Sequence, residues 1–130
     1  MIEKLLDYLY ATDKAPSIPK DDVFSSILLR EKIGGTIIPS GLSVPHSRHN
    51  DFDGFIVVLG TPGAQIFQDG FEIRLMALML SSPGGGPYYL PTVSSLTRLS
   101  MDKDFFSSLC GAKTPEDLLD MIRGRDLVLM

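Results

Sequence analysis

The sequence predicts an α/β fold, a small mixed β-sheet sandwiched by helices. Three observations lead there. Apolar residues recur at helical spacing near the start, at Ile2, Leu5, Leu6 and Leu9. Two mid-chain runs, residues 55–59 and 73–80, are apolar without polar alternation, which suits strands covered on both faces. Helix-start signals then follow, of which Thr114-Pro115-Glu116-Asp117 is the clearest, with a capping hydroxyl, a proline at the first position and acid next. At 130 residues the chain is expected to form one domain over residues 1–130.

In order, the first helix is expected to reach about Ala11, and residues 12–19, with Pro16 and Pro19, form a turn-rich connection. Asp21 and Asp22 sit in the first turn of a second helix, where negative charge favours the macrodipole. Val23, Phe24, Ile27, Leu28 and Leu29 are its expected apolar face, and Gly34-Gly35 ends it. Arg30 therefore belongs to its last turn. Thr36-Ile37-Ile38 reads as a short strand, and a second strand is expected to end at His46. Gly63 and Asp69-Gly70 mark turns between strands, and residues 81–87 a mobile glycine-rich loop. Helices are expected over residues 91–99, 102–110 and 115–123. Residues 126–130 would add a terminal strand or fray.

Composition excludes several classes. Hydrophobic residues make up 44% of the chain, enough for one core, but the longest apolar run has only six residues, Leu75 to Leu80. A membrane span needs about 18, so no direct membrane insertion is expected. Glu3 and Asp7 interrupt the start where a signal peptide would be apolar. The single cysteine, Cys110, can form neither an internal disulfide nor a cysteine-rich zinc site, and reads as a small buried hydrophobe. A cytoplasmic location fits these features. A net charge of −4 without a Lys/Arg cluster argues against a nucleic-acid surface.

The candidate chemistry is concentrated in Gly41-Leu42-Ser43-Val44-Pro45-His46-Ser47-Arg48. Both histidines of the chain, His46 and His49, fall in this neighbourhood. Pro45 fixes its own φ and holds residue 44 extended, so His46 sits on a stiffened backbone. Neutral imidazole can attack phosphorus near pH 7 and also leave readily. Phosphoryl transfer otherwise needs positioning and positive charge, which an arginine fork supplies well. Read from residues alone, Arg30 and Arg48 are either phosphate ligands or solvated surface charges, and His49 is expected in solvent. The run His46, His49, Asp51 and Asp53 offers metal-type donors, which would suit a metal-dependent hydrolase. Its spacing matches no metal-binding signature, however, and no metal is expected.

Arg30-Glu31, Gly34-Gly35-Thr36 and the Pro45-His46 element together resemble the enzyme IIA domain of the bacterial phosphotransferase system, in its fructose/mannitol and nitrogen-regulatory branch. That family carries Arg-Glu at a helix end, Gly-x-Thr, then Gly-Leu/Ile-Ala-x-Pro-His. The resemblance continues through residues 54–60, Asp69-Gly70, Leu78-Met79-Leu80 and residues 114–119, covering roughly residues 1 to 123. It implies that His46 is the phosphoacceptor, with Arg30 beside the phosphate and Ser47 and Arg48 as further phosphate-binding candidates. It implies no cofactor. The implied partners are a phosphorylated histidine carrier protein and either a sugar-permease B domain or a regulated transporter.

The chain departs from the family at Tyr89, where the pattern has a second active-site histidine before an apolar helix. Tyrosine can give one hydrogen bond but has no cationic form. Two readings therefore stand: a working phosphocarrier, or a non-catalytic regulatory module, either free or attached to a membrane transporter. The first helix also comes early against the family pattern. The chain is thus expected to lack the family's N-terminal strand or to be cut from a larger protein.

Overall fold

Six consecutive residues, Leu75 to Leu80, are buried, and the rest of the fold is arranged about the strand they form. In the computed structural model, which describes residues 1–84 and 86–129, this strand is β7, Leu75–Ser81. Its side chains alternate between two cores. Met76, Leu78 and Leu80 face one way, against Leu5, Leu6 and Leu9 of α1 (Ile2–Tyr10) and Val23 and Ile27 of α2 (Lys20–Gly34). Leu75, Ala77 and Met79 face the other way. They meet Leu96 and Leu99 of α3 (Tyr89–Met101), Phe106 and Leu109 of α4 (Lys103–Cys110), and Leu118 and Ile122 of α5 (Pro115–Leu129). Double coverage is why this stretch is apolar without alternation.

The sheet is mixed, as expected. β4 (Phe55–Gly60) runs antiparallel to β7 along one edge. Along the other edge β2 (Leu42–Ser43) and β3 (His46–Arg48) both run parallel to β7. β1 (Ile37–Ile38) pairs antiparallel with β2 alone. β5 (Phe67–Gln68) and β6 (Phe71–Glu72) form a separate hairpin about Asp69-Gly70. β4 is mostly half-buried, so the double coverage expected of both apolar runs is complete only for β7.

The strand expected to end at His46 instead continues through it. Ser43 pairs with Met76 and His46 with Met79, so β2 and β3 are two pieces of one strand in a single register. Pro45 causes the gap. Its carbonyl accepts from the Met79 N–H at 2.9 Å, but it has no N–H to return to β7. The Val44 N–H turns the other way, to the Thr36 carbonyl at 2.8 Å. β1 stops short of this point, so the outer edge of β3 has no strand beside it among the described residues.

Other boundaries also differ. α2 ends at Gly34, where Gly34-Gly35 was expected to stop it, but Leu28 and Leu29 of its expected apolar face are exposed. α3 opens at Tyr89 rather than Pro91, since proline is tolerated in a first turn. α5 continues helically to Leu129, where a terminal strand or a frayed end was expected; Met130 lies outside the described residues. In the glycine-rich loop, Gly85 likewise lies outside them, and Gly86–Tyr88 forms a single 3-10 turn leading into α3.

Gly41 joins the sheet's two parallel partners. Its carbonyl accepts from both the Arg74 and Leu75 N–H groups, at 2.8 and 3.1 Å, and its φ is +104°. A Cβ there would lie 2.9 Å from the Glu72 carbonyl oxygen and 2.8 Å from Arg74 Cγ. Gly41→Ala is therefore expected to cost about 2 kcal/mol or more in urea unfolding, from strain and collision together. Gly63→Ala, with nothing within 4 Å of the new Cβ, should be neutral or stabilise by a few tenths of a kcal/mol.

Candidate functional site

Strand alternation decides which side chains can meet His46. Leu42 and Val44 belong to the core beneath α3–α5, so His46, two residues on from Val44, points to the same side. There it meets the first residue of α3. The Tyr89 hydroxyl lies 3.2 Å from His46 Nδ1, and the two rings are 4.7 Å apart at 43°. The histidine comes from an edge strand stiffened by Pro45, the tyrosine from the start of a helix, and Met79 of β7 lies opposite His46 in the ladder. The family-pattern position of the second histidine is thus filled by a phenol in contact with the first.

The His46 imidazole is half-buried, and its pKa is held below the ordinary histidine value. Burial is the largest cause. A backbone hydrogen bond to Val44 works the other way, while the positive charges of Arg30 and Arg48 push it further down. The ring is accordingly neutral at pH 7. Burial also raises the Tyr89 pKa, partly offset by Arg30, so the phenol keeps its proton. Arg30 and Arg48 are both exposed. Arg30 belongs to α2, which packs on the other face of the sheet beside β3. Its field acts on both His46 and Tyr89.

Four of the residues singled out from sequence, His46, Tyr89, Arg30 and Arg48, therefore share one environment. Ser47 does not join them. It is buried, alternation aims it at the opposite face, and its Oγ lies 2.8 Å from His49 Nε2. His49, expected in solvent, is half-buried by this bond and by its N–H to the Ser81 carbonyl at 3.0 Å. Among the described residues no three His, Cys, Asp or Glu side chains converge on a point where a metal ion would sit. No helix among them is long and apolar enough to cross a membrane.

Sequence reasoning missed a second polar group behind the site. Gln68 Nε2 donates to Glu31 Oε2 at 3.1 Å, and the Ser43 hydroxyl donates to Gln68 Oε1 at 2.9 Å. The two outer residues belong to the quoted motifs, but nothing in the spacing of Gln68 pointed to it. Large apolar side chains also remain exposed next to the site residues in sequence. Leu29 precedes Arg30 at 64% exposure, and Tyr88 and Leu90 flank Tyr89 at 63% and 73%.

Residues 1–124 match the family described as phosphoenolpyruvate-dependent sugar phosphotransferase system, EIIA 2. A nitrogen regulatory protein of Escherichia coli is 31% identical over 113 residues, spanning 84% of this chain and 69% of that protein. One of Bradyrhizobium diazoefficiens is 26% identical over 103 residues, 77% of this chain and 67% of that protein. In fold, the chain is similar to the crystal structure of nitrogen regulatory protein IIA-Ntr from Neisseria meningitidis, with a TM-score of 0.73 at 22% identity, covering 92% of this chain and 82% of that one. It is also similar to IIA mannitol from Escherichia coli, with a TM-score of 0.69 at 16% identity, covering 92% and 84%. With the Pro-His strand, its arginines and this sheet in common view, the chain belongs to the EIIA 2 family of the phosphoenolpyruvate-dependent sugar phosphotransferase system.

Proposed function

We propose that this chain is a cytoplasmic phosphocarrier in which His46 takes a phosphoryl group from a phosphorylated histidine carrier protein. The group then passes to a sugar-permease B domain or serves a regulatory purpose, as the names of the nitrogen regulatory relatives suggest. In the first step the P–N bond of the carrier breaks, its imidazole keeps the electron pair, and a new P–N bond forms at His46. With its proton on Nδ1, against the Tyr89 hydroxyl, His46 presents the Nε2 lone pair to phosphorus. The observation that carries this reading is a half-buried imidazole in hydrogen-bond contact with Tyr89, kept neutral by burial and by the positive charges of Arg30 and Arg48. That field opposes a proton on the ring yet favours a phosphoryl group bearing about 1.5 to 2 negative charges. Exposed Leu29, Tyr88 and Leu90 offer the apolar area that a protein donor would cover.

A non-catalytic regulatory module is the second reading, and Tyr89 favours it. A phenol can donate to one phosphoryl oxygen but cannot neutralise the charge that a protonated imidazole would. Arg30 and Arg48 then supply the positive charge alone.

His46→Gln is expected to abolish radiolabel transfer from phosphorylated carrier protein, while His49→Gln retains it; label persisting in the His46 variant would remove His46 as acceptor. Arg30→Lys keeps the charge but loses the planar fork, and should slow transfer about ten-fold, or ~1.4 kcal/mol of barrier. An unchanged rate would mean that Arg30 contributes only its field. Tyr89→His should speed labelling of His46 several-fold. If a well-folded Tyr89→His protein and the wild type both stay unlabelled, the regulatory reading replaces the phosphocarrier.

A further inference from the structure

Arg30 acts on His46 from a helix that lies across the sheet, so something must fix that helix end against the histidine's strand. Glu31, the next residue, accepts from the Gln68 amide nitrogen at 3.1 Å. The Gln68 amide oxygen accepts from Ser43, three residues before His46 on the same continuous strand, at 2.9 Å. The amide orientation is forced by chemistry, because a carboxylate offers no proton and must face the NH₂ end. Ser43 is 1% exposed, so its hydroxyl depends on this bond. A Cβ on Gly35 would collide with the Gln68 amide nitrogen and the Glu31 carboxylate, so glycine leaves the notch through which the bond passes. We propose that Gln68 is a positioning residue of the His46 site, a strut that joins the Arg30-bearing end of α2 to the His46-bearing strand. The family pattern has alanine where this chain has Ser43, so the strut's inner bond is a feature of this chain's own sequence.

The remaining facts agree. Glu31 is partly buried, which raises its pKa, while the Gln68 bond favours its charged form. A partly buried carboxylate gains more from a fixed donor than an exposed one, because water reaches it less freely. The hairpin Phe67–Gln68 and Phe71–Glu72 otherwise stands apart from the main sheet, and this residue ties it in.

The test reads placement directly, by NMR titration of the His46 ring in the full chain. Charged and titratable groups acting on that ring come from α2 (Arg30), β3 (Arg48) and α3 (Tyr89). Arg30→Ala should raise the His46 midpoint by removing a repelling cation. Gln68→Ala should raise it too, because the helix end is no longer held, and the double variant should show no more than Arg30→Ala alone. Ser43→Ala, the family's own residue, is a mild second variant and should shift the midpoint the same way. An unmoved midpoint in folded Gln68→Ala and Ser43→Ala proteins overturns the proposal. So do additive shifts in the double variant, which would mark a general loosening. Rescue by Gln68→Asn is not expected, since the shorter side chain cannot span both partners. The proposal rests on the phosphocarrier reading for its purpose but not for this measurement. Where wild-type His46 also takes radiolabel, Gln68→Ala should lower kcat about five-fold with the donor's KM little changed; failure of the wild type to label would count against the phosphocarrier alone.

Discussion

Parallel pairing of residues 42–48 with β7 is the constraint on which the rest of the structure depends. β7 is buried on both faces, so its register fixes the position of every neighbour to within one residue. A slip by one would turn His46 into the core beneath α1 and α2 and carry Ser47 to Tyr89. Gly41 sets that register by accepting from two consecutive N–H groups at the start of β7. Only after the chain is so pinned does Pro45 interrupt the ladder. The interruption and the short β1 together turn the segment from an inner strand into an edge, which is what the proposed transfer from another protein asks of His46. The proline that stiffens the histidine's backbone also helps to expose it.

Electrostatics completes what the sheet begins. Burial and two guanidinium groups all oppose protonation of His46, for different physical reasons. Burial penalises any charge on the ring, whereas the arginines penalise only positive charge. The proposed phosphorylation would replace a small, neutral ring nitrogen with a bulky dianion on the half-buried ring. The arginine field would then become attractive. In the proposed transfer the same residues would keep His46 deprotonated beforehand and hold its phosphorylated form afterwards. Tyr89 adds a directional hydrogen bond but no charge, so more of the load falls on Arg30 and Arg48 than in a site with two histidines.

The sequence made the helices and the central strand legible because each carries a local signal: Thr114-Pro115 at the start of α5, Asp21 and Asp22 in the first turn of α2, the uninterrupted Leu75 to Leu80 run. His46, Arg30 and Tyr89 were legible through the motif order. Ser47 was not, since adjacency in sequence suggested a shared role while strand alternation places it on the opposite face, against His49. The continuation of the strand through His46 was hidden by Pro45, which reads as a terminator when the register on either side is unknown. Arg123 looked like a natural helix end, yet α5 continues because nothing after it breaks a helix as strongly as proline. Gln68 could not be found by any local rule, for its partners lie 37 and 25 residues away.

That long-range bond explains why Gly34-Gly35 does more than stop a helix. A single glycine after Lys32-Ile33 would suffice to end α2. The second lies where the Gln68 amide and the Glu31 carboxylate cross the backbone, and any side chain there would part them. Two neighbouring glycines thus answer to different constraints, one conformational and one of space. The positively charged end of the site depends on both. If the notch closed, the helix end that carries Arg30 would lose its tie to Ser43. The helix side of the site is therefore set by a turn, a hairpin residue and a serine, none of which touches the His46 ring.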